Sequence, residues 1–426
     1  MSAEAELDSR VDGPFSWYRT ISPGEKRAFW SCKLGYLLDA MDTQFLSFVI
    51  PTLIATWGIA RGDAGLIGTV TLLASAVGGW ATGVLSDRIG RVKTLQITIV
   101  WFAVFTLVCA LAQNFAQLLW ARGLMGLGFG GEWTAGSVLI GEVIRPRDRG
   151  KAVGLVQAGW AIGWGLSTLL FTIVYTWVPA QYAWRVLFAL GIAPAPFVIW
   201  IRRFVAEPDV HLRQKQAEAE ARTRASLIDI FRPDIIWTTL RASVLATGAQ
   251  GGYYAVTTWL PTFLKTERHL SVIGTGSYLA VVIVGSYCGY LVAAYISDLI
   301  GRKRTFIAFA VASFTIVVIY TRLPLDNLYM LVLGFPLGFC ASGIFSGMGP
   351  FLTELFPTRI RGSGQGFCYN VGRAIGAAFP FLIGYASQKM TLGHAIGALA
   401  AAAYGVVVLA ALTLPETKGR RLDAKA

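Results

Sequence analysis

The chain has 426 residues, of which 55% are hydrophobic and 14% charged, with a formal net charge of +13. Soluble domains carry roughly a quarter charged residues, so the composition excludes a soluble globular protein and points to a membrane protein. The excess of positive charge raises nucleic-acid binding as a question, which the placement of the basic residues answers below.

Residues 1–28 are polar and acidic. The apolar run behind them is too long and too charged for a cleaved signal peptide, so this N-terminal tail is expected to stay cytoplasmic. A span needs ~20 residues to cross ~30 Å of hydrocarbon. On that measure spans are predicted near 30–57, 64–86, 94–112, 116–144, 151–177 and 183–201. A polar stretch from Arg202 to Trp237 follows, with a short solvated helix expected over Gln214-Lys215-Gln216-Ala217-Glu218-Ala219-Glu220. Six more spans are predicted near 240–264, 272–297, 305–321, 328–355, 363–387 and 392–414. The expected organisation is a tail (1–28), a six-helix bundle (29–201), a cytoplasmic linker (202–238), a second six-helix bundle (239–414) and a cytoplasmic tail (415–426). The fold class is therefore all-α, with twelve transmembrane helices.

With both termini inside, Lys and Arg fall mainly in the cytoplasmic segments, including Arg88, Lys93, Arg145, Arg147, Lys151 and the basic linker. The opposite loops hold little beyond Arg61, Lys265, Arg268, Arg322 and Lys389. That asymmetry is the positive-inside pattern, and it makes a nucleic-acid partner unnecessary. Cys32, Cys109, Cys288, Cys340 and Cys368 are scattered singly, as are His211, His269 and His394, so neither a disulfide framework nor a metal site is expected.

Glycines recur four apart inside the spans: Gly126 and Gly130, Gly159 and Gly163, Gly334 and Gly338, Gly372 and Gly376. Small residues at this spacing let helix backbones approach closely in lipid. Gly126-Leu127-Gly128-Phe129-Gly130-Gly131 also fits a dinucleotide fingerprint, but it sits mid-span with no strand before it and carries no such meaning.

A charged turn occurs twice. Gly83-Val84-Leu85-Ser86-Asp87-Arg88-Ile89-Gly90-Arg91-Val92-Lys93 returns as Ser297-Asp298-Leu299-Ile300-Gly301-Arg302-Lys303-Arg304, with Asp298 lying 211 positions after Asp87. Glu142 and Arg149 return as Glu354 and Arg361, 212 positions on. Two charged patterns whose offsets agree to within one residue mark the halves as duplicates. Asp87, Arg91, Glu142, Arg149, Asp298, Arg302, Glu354 and Arg361 are expected to form a cytoplasmic belt of opposite charges. It would act either as a gate that closes the inner mouth or as a fixed determinant of topology.

The loop Gly83 to Lys93 resembles the signature of the major facilitator superfamily, G-x-x-x-D-R-x-G-R-[RK]. Its weaker second copy, at Asp298, has Ala294 in place of the glycine. The paired Glu and Arg motifs, Gly349-Pro350-Phe351-Leu352-Thr353-Glu354-Leu355-Phe356-Pro357 and Pro415-Glu416-Thr417-Lys418-Gly419 look like the sugar-porter branch. Asp39-Ala40-Met41-Asp42 and Gly130-Gly131-Glu132-Trp133 look more like the symporters of organic acids and protons. Lying at membrane depth, the second set carries more weight. The resemblance covers nearly the whole chain and implies two pseudo-symmetric six-helix bundles that work by alternating access.

A charge at the bilayer centre costs ~2.5–3.5 kcal/mol even on a lenient scale, so each one needs a reason. The midplane lies ~10 residues into a span. Asp39 and Asp42 stand there in span one, three apart on one helix face, and Arg373 stands there in span eleven. The paired acids suggest a proton site on Asp39 or Asp42. In the family resembled, a span-one Asp works with a span-four Arg, whose place Arg122 occupies, so the pair would be a coupling element or a permanent salt bridge. Arg373 suits a substrate carboxylate, held bidentately. The alternative is that it pairs with Glu132. Gln44, Gln157, Trp160, Gln250, Tyr253 and Asn370 lie at similar depth and fit a polar, partly planar solute.

The sequence thus predicts a secondary transporter in a bacterial inner membrane that takes up a small organic anion (sialate, lactate, pyruvate or an aromatic acid) with protons. The alternative is a proton-coupled sugar or polyol porter, which leaves Arg373 without a task. No ATP-binding G-x-x-x-x-G-K-[ST] loop occurs, so a proton gradient is the expected energy source. No enzyme activity, cofactor or metal is expected, and the chain is expected to work as a monomer in the bilayer.

Overall fold

The computed structural model describes residues 18–19, 21–143, 149–192, 196, 230–356 and 361–418. The expected linker helix and most of the linker fall outside these residues. Fourteen helical segments are seen: α1 (Pro23–Trp57), α2 (Arg61–Ile89), α3 (Arg91–Leu111), α4 (Phe115–Val143), α5 (Arg149–Gln157), α6 (Gly159–Trp177), α7 (Ala180–Leu190), α8 (Ile236–Thr266), α9 (Val272–Ile300), α10 (Arg302–Arg322), α11 (Asn327–Leu355), α12 (Arg361–Gly376), α13 (Ala378–Ala386) and α14 (Leu392–Thr413). The α5–α6 and α12–α13 pairs are the fifth and eleventh spans. Each is interrupted by one residue, Ala158 or Ala377, which keeps near-helical torsions. These breaks sit beside glycines, where helices bend most readily. That gives twelve spans, six in each half, with no strand among the described residues.

The ends of the spans are set by local chemistry. Ser22 and Glu25 form a capping box at the start of α1, with Ser22 N donating to Glu25 Oε2 at 2.7 Å and Pro23 at the first helical position. The far end of α1 closes on Gly58 in the left-handed conformation. Thr391 caps α14 and Ser271 caps α9 through their side-chain oxygens.

The two charged turns are built alike. Gly90 has φ 107° and ψ 160°, and Gly301 has φ 104° and ψ 159°, a region open essentially to glycine alone. In both turns a hydroxyl four residues on donates back to that glycine's carbonyl: Thr94 Oγ1 to Gly90 O at 2.6 Å, and Thr305 Oγ1 to Gly301 O at 2.7 Å. The sequence repeat is thus a repeat of backbone geometry.

All four glycine pairs mark close helix contacts, and they too come in duplicate. Gly126 and Gly130 on α4 face Thr71 and Ser75 of α2, as Gly334 and Gly338 on α11 face Val282 of α9. Gly159 and Gly163 face Lys33 and Leu37 of α1, as Gly372 and Gly376 face Ala246, Thr247, Gln250 and Gly251 of α8. With no hydrophobic effect between helices in lipid, this backbone approach substitutes dispersion contact for burial from water. The halves meet chiefly where α2 packs on α12 and α13, and where α6 packs on α9. On the first seam Phe381 N of α13 donates to Thr69 Oγ1 of α2 at 3.3 Å, while inside the second half Trp259 Nε1 of α8 donates to Pro380 O of α13 at 2.9 Å.

At the end of the bundle carrying the charged turns, Arg302 grips Glu354 through Nε at 3.3 Å and Nη2 at 3.2 Å, and donates through Nη1 to Ser297 Oγ at 2.8 Å. Thr417 Oγ1 donates to Glu354 Oε2 at 2.5 Å. Glu416 lies across the start of α10 and accepts from the backbone N–H of Arg302 at 2.8 Å and Lys303 at 3.2 Å. The segment after α14 is therefore tied to the second charged turn. Burial pushes the Glu416 carboxyl up, but the N–H groups of Lys418, Arg302, Thr417 and Lys303 outweigh it and hold it below the usual value. The side chains of Asp87, Arg91, Glu142, Arg149, Asp298 and Arg361 lie outside the described residues, so of the predicted belt the Arg302–Glu354 pair is the part seen.

Two predictions follow from this packing. A methyl at position 338 would come within 2.8 Å of Val282 C and Ser286 Oγ, whereas nothing lies within 4 Å of one at position 405. Gly338→Ala should cost ~1–3 kcal/mol by overpacking and lower the melting temperature of purified protein, while Gly405→Ala leaves it unchanged or raised. A depressed carboxyl contributes stability that is present above its unfolded pKa of ~4.3 and lost as pH falls through the folded value. Glu416→Gln should therefore speed hydrogen exchange at the Arg302 and Lys303 amides at neutral pH, and parent and variant should converge in acid once intrinsic rates are corrected. Equal exchange at neutral pH would show that the cap does not hold the turn.

Candidate functional site

Among the described residues, five charged side chains inside the spans are no more than 3% exposed: Asp39 and Asp42 on α1, Arg122 and Glu132 on α4, and Arg373 on α12. Their partners divide them into three groups.

Asp42 turns towards Arg122, Oδ2 to Nη1 at 3.5 Å, with both side chains fully buried. The guanidinium lies 5.3 Å from the Phe188 ring of α7 and 3.7 Å from Met125 Sδ. Gly191 makes room for the carboxylate, since a Cβ there would stand 2.5 Å from Asp42 Oδ1. This ion pair is internal to the first half.

Asp39, one turn back, faces Glu132 instead. Asp39 Oδ2 and both Glu132 carboxyl oxygens are without a hydrogen-bond partner. No cation lies within 4 Å of either carboxyl group among the described residues. Gly35 leaves the space that the Glu132 carboxyl fills, with Glu132 Cδ 3.3 Å from where a Cβ would be. The acids expected to share one face of α1 thus serve different neighbours: 60° of rotation between positions i and i+3 sends one towards Arg122 and the other towards Glu132.

Arg373 stands apart from both groups. Its guanidinium lies 5.3 Å from the Phe129 ring of α4 and 5.1 Å from the Tyr369 ring of its own helix. No carboxylate lies within 4 Å of it among the described residues, so the ion pair with Glu132 weighed in the sequence reading is not formed here. Its Nε has no hydrogen-bond partner. Aromatic and amide groups from both halves surround it. Trp160 Nε1 donates to Tyr253 OH at 2.7 Å across the interface between halves, and Tyr36 OH donates to Gln157 Oε1 at 3.3 Å. Gln250 Nε2 donates to Tyr369 O at 2.8 Å and its Oε1 accepts from Tyr254 OH at 3.0 Å. Tyr36 lies 4.6 Å from Trp133 and 5.2 Å from Trp160, ring centre to ring centre. The guanidinium thus sits among π faces, and among the described residues no carboxylate cancels its charge within ion-pair distance.

Gln157, Trp160, Gln250, Tyr253 and Arg373 come together in this way. Asn370 turns its amide back to Gly366 O at 3.0 Å on its own helix, and Gln44 accepts from Ser47 Oγ at 3.4 Å. Sequence reasoning missed Tyr36, Phe129, Trp133 and Tyr369. The signal was available: Tyr36 precedes Asp39 by three positions and Tyr369 precedes Arg373 by four, the spacing of one helix face, while Phe129 and Trp133 flank Glu132.

The sequence profile of the Major Facilitator Superfamily matches residues 34–297 and 276–426. Over 412 residues the chain is 43% identical to a protein of Cupriavidus pinatubonensis described as a probable 4-methylmuconolactone transporter, covering 96% of this chain and 95% of that one. It is 30% identical to the cis,cis-muconate transport protein of Acinetobacter baylyi, covering 92% and 94% of the two chains. In structure it resembles a D-xylose–proton symporter with a TM-score of 0.71 at 22% identity, over 92% of this chain and 99% of that one. The chain belongs to the Major Facilitator Superfamily and is a multi-pass membrane transporter, not an enzyme.

Proposed function

We propose that the protein takes up a small organic anion, a carboxylate with a flat unsaturated body, together with protons across a bacterial inner membrane. The observation that carries this reading is Arg373: a buried guanidinium between aromatic rings, with no carboxylate within 4 Å of it among the described residues. A buried charge without a counter-ion is costly, and an anionic substrate supplies the counter-ion each time it binds. The relatives support an organic acid over a sugar, being named for 4-methylmuconolactone and cis,cis-muconate.

Catalytic groups have no place in this mechanism; the work is done by binding and by the two halves. The substrate carboxylate lies on Arg373 in the second half, and its flat body lies among Tyr36, Phe129 and Trp160 of the first. The substrate then touches both halves at once, so it favours the closed arrangement in which both touch it. Its release requires the Trp160–Tyr253 hydrogen bond and the Arg373–Phe129 contact to part. The charged-turn end is assigned to the cytoplasm, with both termini, because the basic residues gather there. Opening that mouth requires Arg302 and its counterparts in the belt to exchange partners. Proton coupling is assigned to the acids of α1, with the Asp42–Arg122 pair holding α1 against α4. The chain is assigned to act as a monomer.

The test is uptake into proteoliposomes under an imposed pH gradient, with labelled carboxylates in competition with sugars. A carboxylate should accumulate, and xylose and other sugars should not compete. Arg373→Lys keeps the charge and loses the planar fork, so carboxylate binding should weaken by ~1.5–3 kcal/mol, about 10- to 150-fold. Arg373→Ala should abolish uptake while the protein still inserts in the membrane. Accumulation of a sugar that survives Arg373→Ala would overturn the reading.

A further inference from the structure

We propose that Glu132 of α4 and Asp39 of α1 together form the proton-binding site, one proton being held between the two carboxyl groups. This rests on the symport reading above and names the group that reading leaves open.

The geometry points here for three reasons. First, the carboxyl groups face each other at half depth, Asp39 2% and Glu132 1% exposed, with Asp39 Oδ2 and both Glu132 oxygens lacking any hydrogen-bond donor. Two bare carboxylates in that position repel each other and waste three acceptors. One proton placed between them removes a charge and supplies the missing donor. Second, Asp42, the other acid of α1, also has carboxyl oxygens without a hydrogen-bond partner, but its charge is balanced by Arg122 at 3.5 Å, which the Asp39–Glu132 pair lacks among the described residues. Third, the groups facing the pair leave the proton's place open. Asp42 of α1 adds negative charge, Cys32 of α1 donates its thiol to Gly136 O at 3.2 Å, and Arg373 of α12 acts only across a gap beyond 4 Å.

Gly35 is part of the device. A side chain at that position would occupy the space of the Glu132 carboxyl, whose Cδ is 3.3 Å from the would-be Cβ. The glycine therefore lets the acid of α4 reach the acid of α1. A sodium ion is the competing occupant. It would want several more oxygens than two carboxyl groups provide, and no third acid or other metal-ligating side chain joins the pair among the described residues.

The pair also explains why substrate and proton travel together. An anion bound on Arg373 brings a negative charge to the neighbourhood of the pair and a proton on the pair removes one, so each ligand strengthens the binding of the other.

The experiment measures proton movement with substrate in proteoliposomes holding a pH indicator, using the labelled carboxylate that the parent accumulates. The parent should move about one proton per substrate, and Glu132→Gln about none, its accumulation ratio falling to about one, the value of passive equilibration. Asp39→Asn should behave alike, and the double variant should be no worse than either single one, because the two residues act as one site. Gly35→Ala, which pushes the Glu132 carboxyl aside without removing a charge, should uncouple partly. On the unaltered protein a hydrophobic carbodiimide, which attacks protonated carboxyl groups in apolar surroundings, should label Glu132 or Asp39 more at acidic than at alkaline pH. If the parent moves no protons with substrate, the symport reading fails and this assignment falls with it. If the parent is coupled and Glu132→Gln moves as many protons, or the carbodiimide labels neither acid, this assignment alone is overturned. Coupling that follows a sodium gradient rather than a pH gradient would make the pair a metal-cation site and overturn it equally.

Discussion

The constraint on which the rest depends is the cost of charge at half depth. Asp39, Asp42 and Glu132 bring three carboxyl groups there, and Arg122 and Arg373 bring two guanidinium groups, all nearly free of contact with water. A fully ionised set would leave one negative charge uncompensated. In the proposed mechanism a single bound proton brings the buried set to neutrality. An incoming carboxylate adds a negative charge that makes that proton harder to lose, so the two stay bound together. Electroneutrality in a medium that solvates ions poorly is by itself a reason for an anion and a proton to move together.

Symmetry supplies the scaffold on which that chemistry sits. The Gly90 and Gly301 turns, the Thr94 and Thr305 back-bonds and the four glycine pairs give the halves the same close contacts in the same places. The chemistry is unequal. The first half holds Asp39, Asp42 and Glu132, and the second holds Arg373, which has no carboxylate within 4 Å among the described residues, so in the proposed mechanism proton and substrate charge are handled by opposite sides of one interface. A rocking motion of one half against the other must then change the distance between Arg373 and the Asp39–Glu132 pair. That distance sets how strongly each ligand feels the other.

The frame was legible in the sequence because its signals are repeated: the offset of 211 between Asp87 and Asp298 marked the duplication, and run length marked the spans. The site was legible in its ingredients and less so in its pairings. Position along a helix places Asp39, Asp42 and Arg373 at half depth. Which acid meets which base depends on how α4 is rotated against α1, and one chain read alone does not contain that angle. Glu132 shows the difference. It was weighed as a partner for Arg373 because opposite charges are the default pairing, but the room left by Gly35 brings it to Asp39 instead. The interruption of the fifth and eleventh spans was likewise hidden, since glycine near a break reads the same as glycine in a tight contact.

The two arginines show why residue type does not settle role. Arg122 and Arg373 are both buried, and each lies about 5.3 Å from a phenylalanine ring. Arg122 has its carboxylate at 3.5 Å inside its own half, so in this structure its charge is spent on holding α1 to α4. Arg373 lies against a ring of the opposite half and has no carboxylate within 4 Å among the described residues. A π face stabilises a guanidinium far less than a carboxylate does, so this arrangement holds the charge in place while leaving most of its binding energy unused. In the proposed mechanism that unused energy is what an anionic substrate draws on. Because it is realised only when both halves close around the ligand, it favours closure in the loaded protein over the empty one.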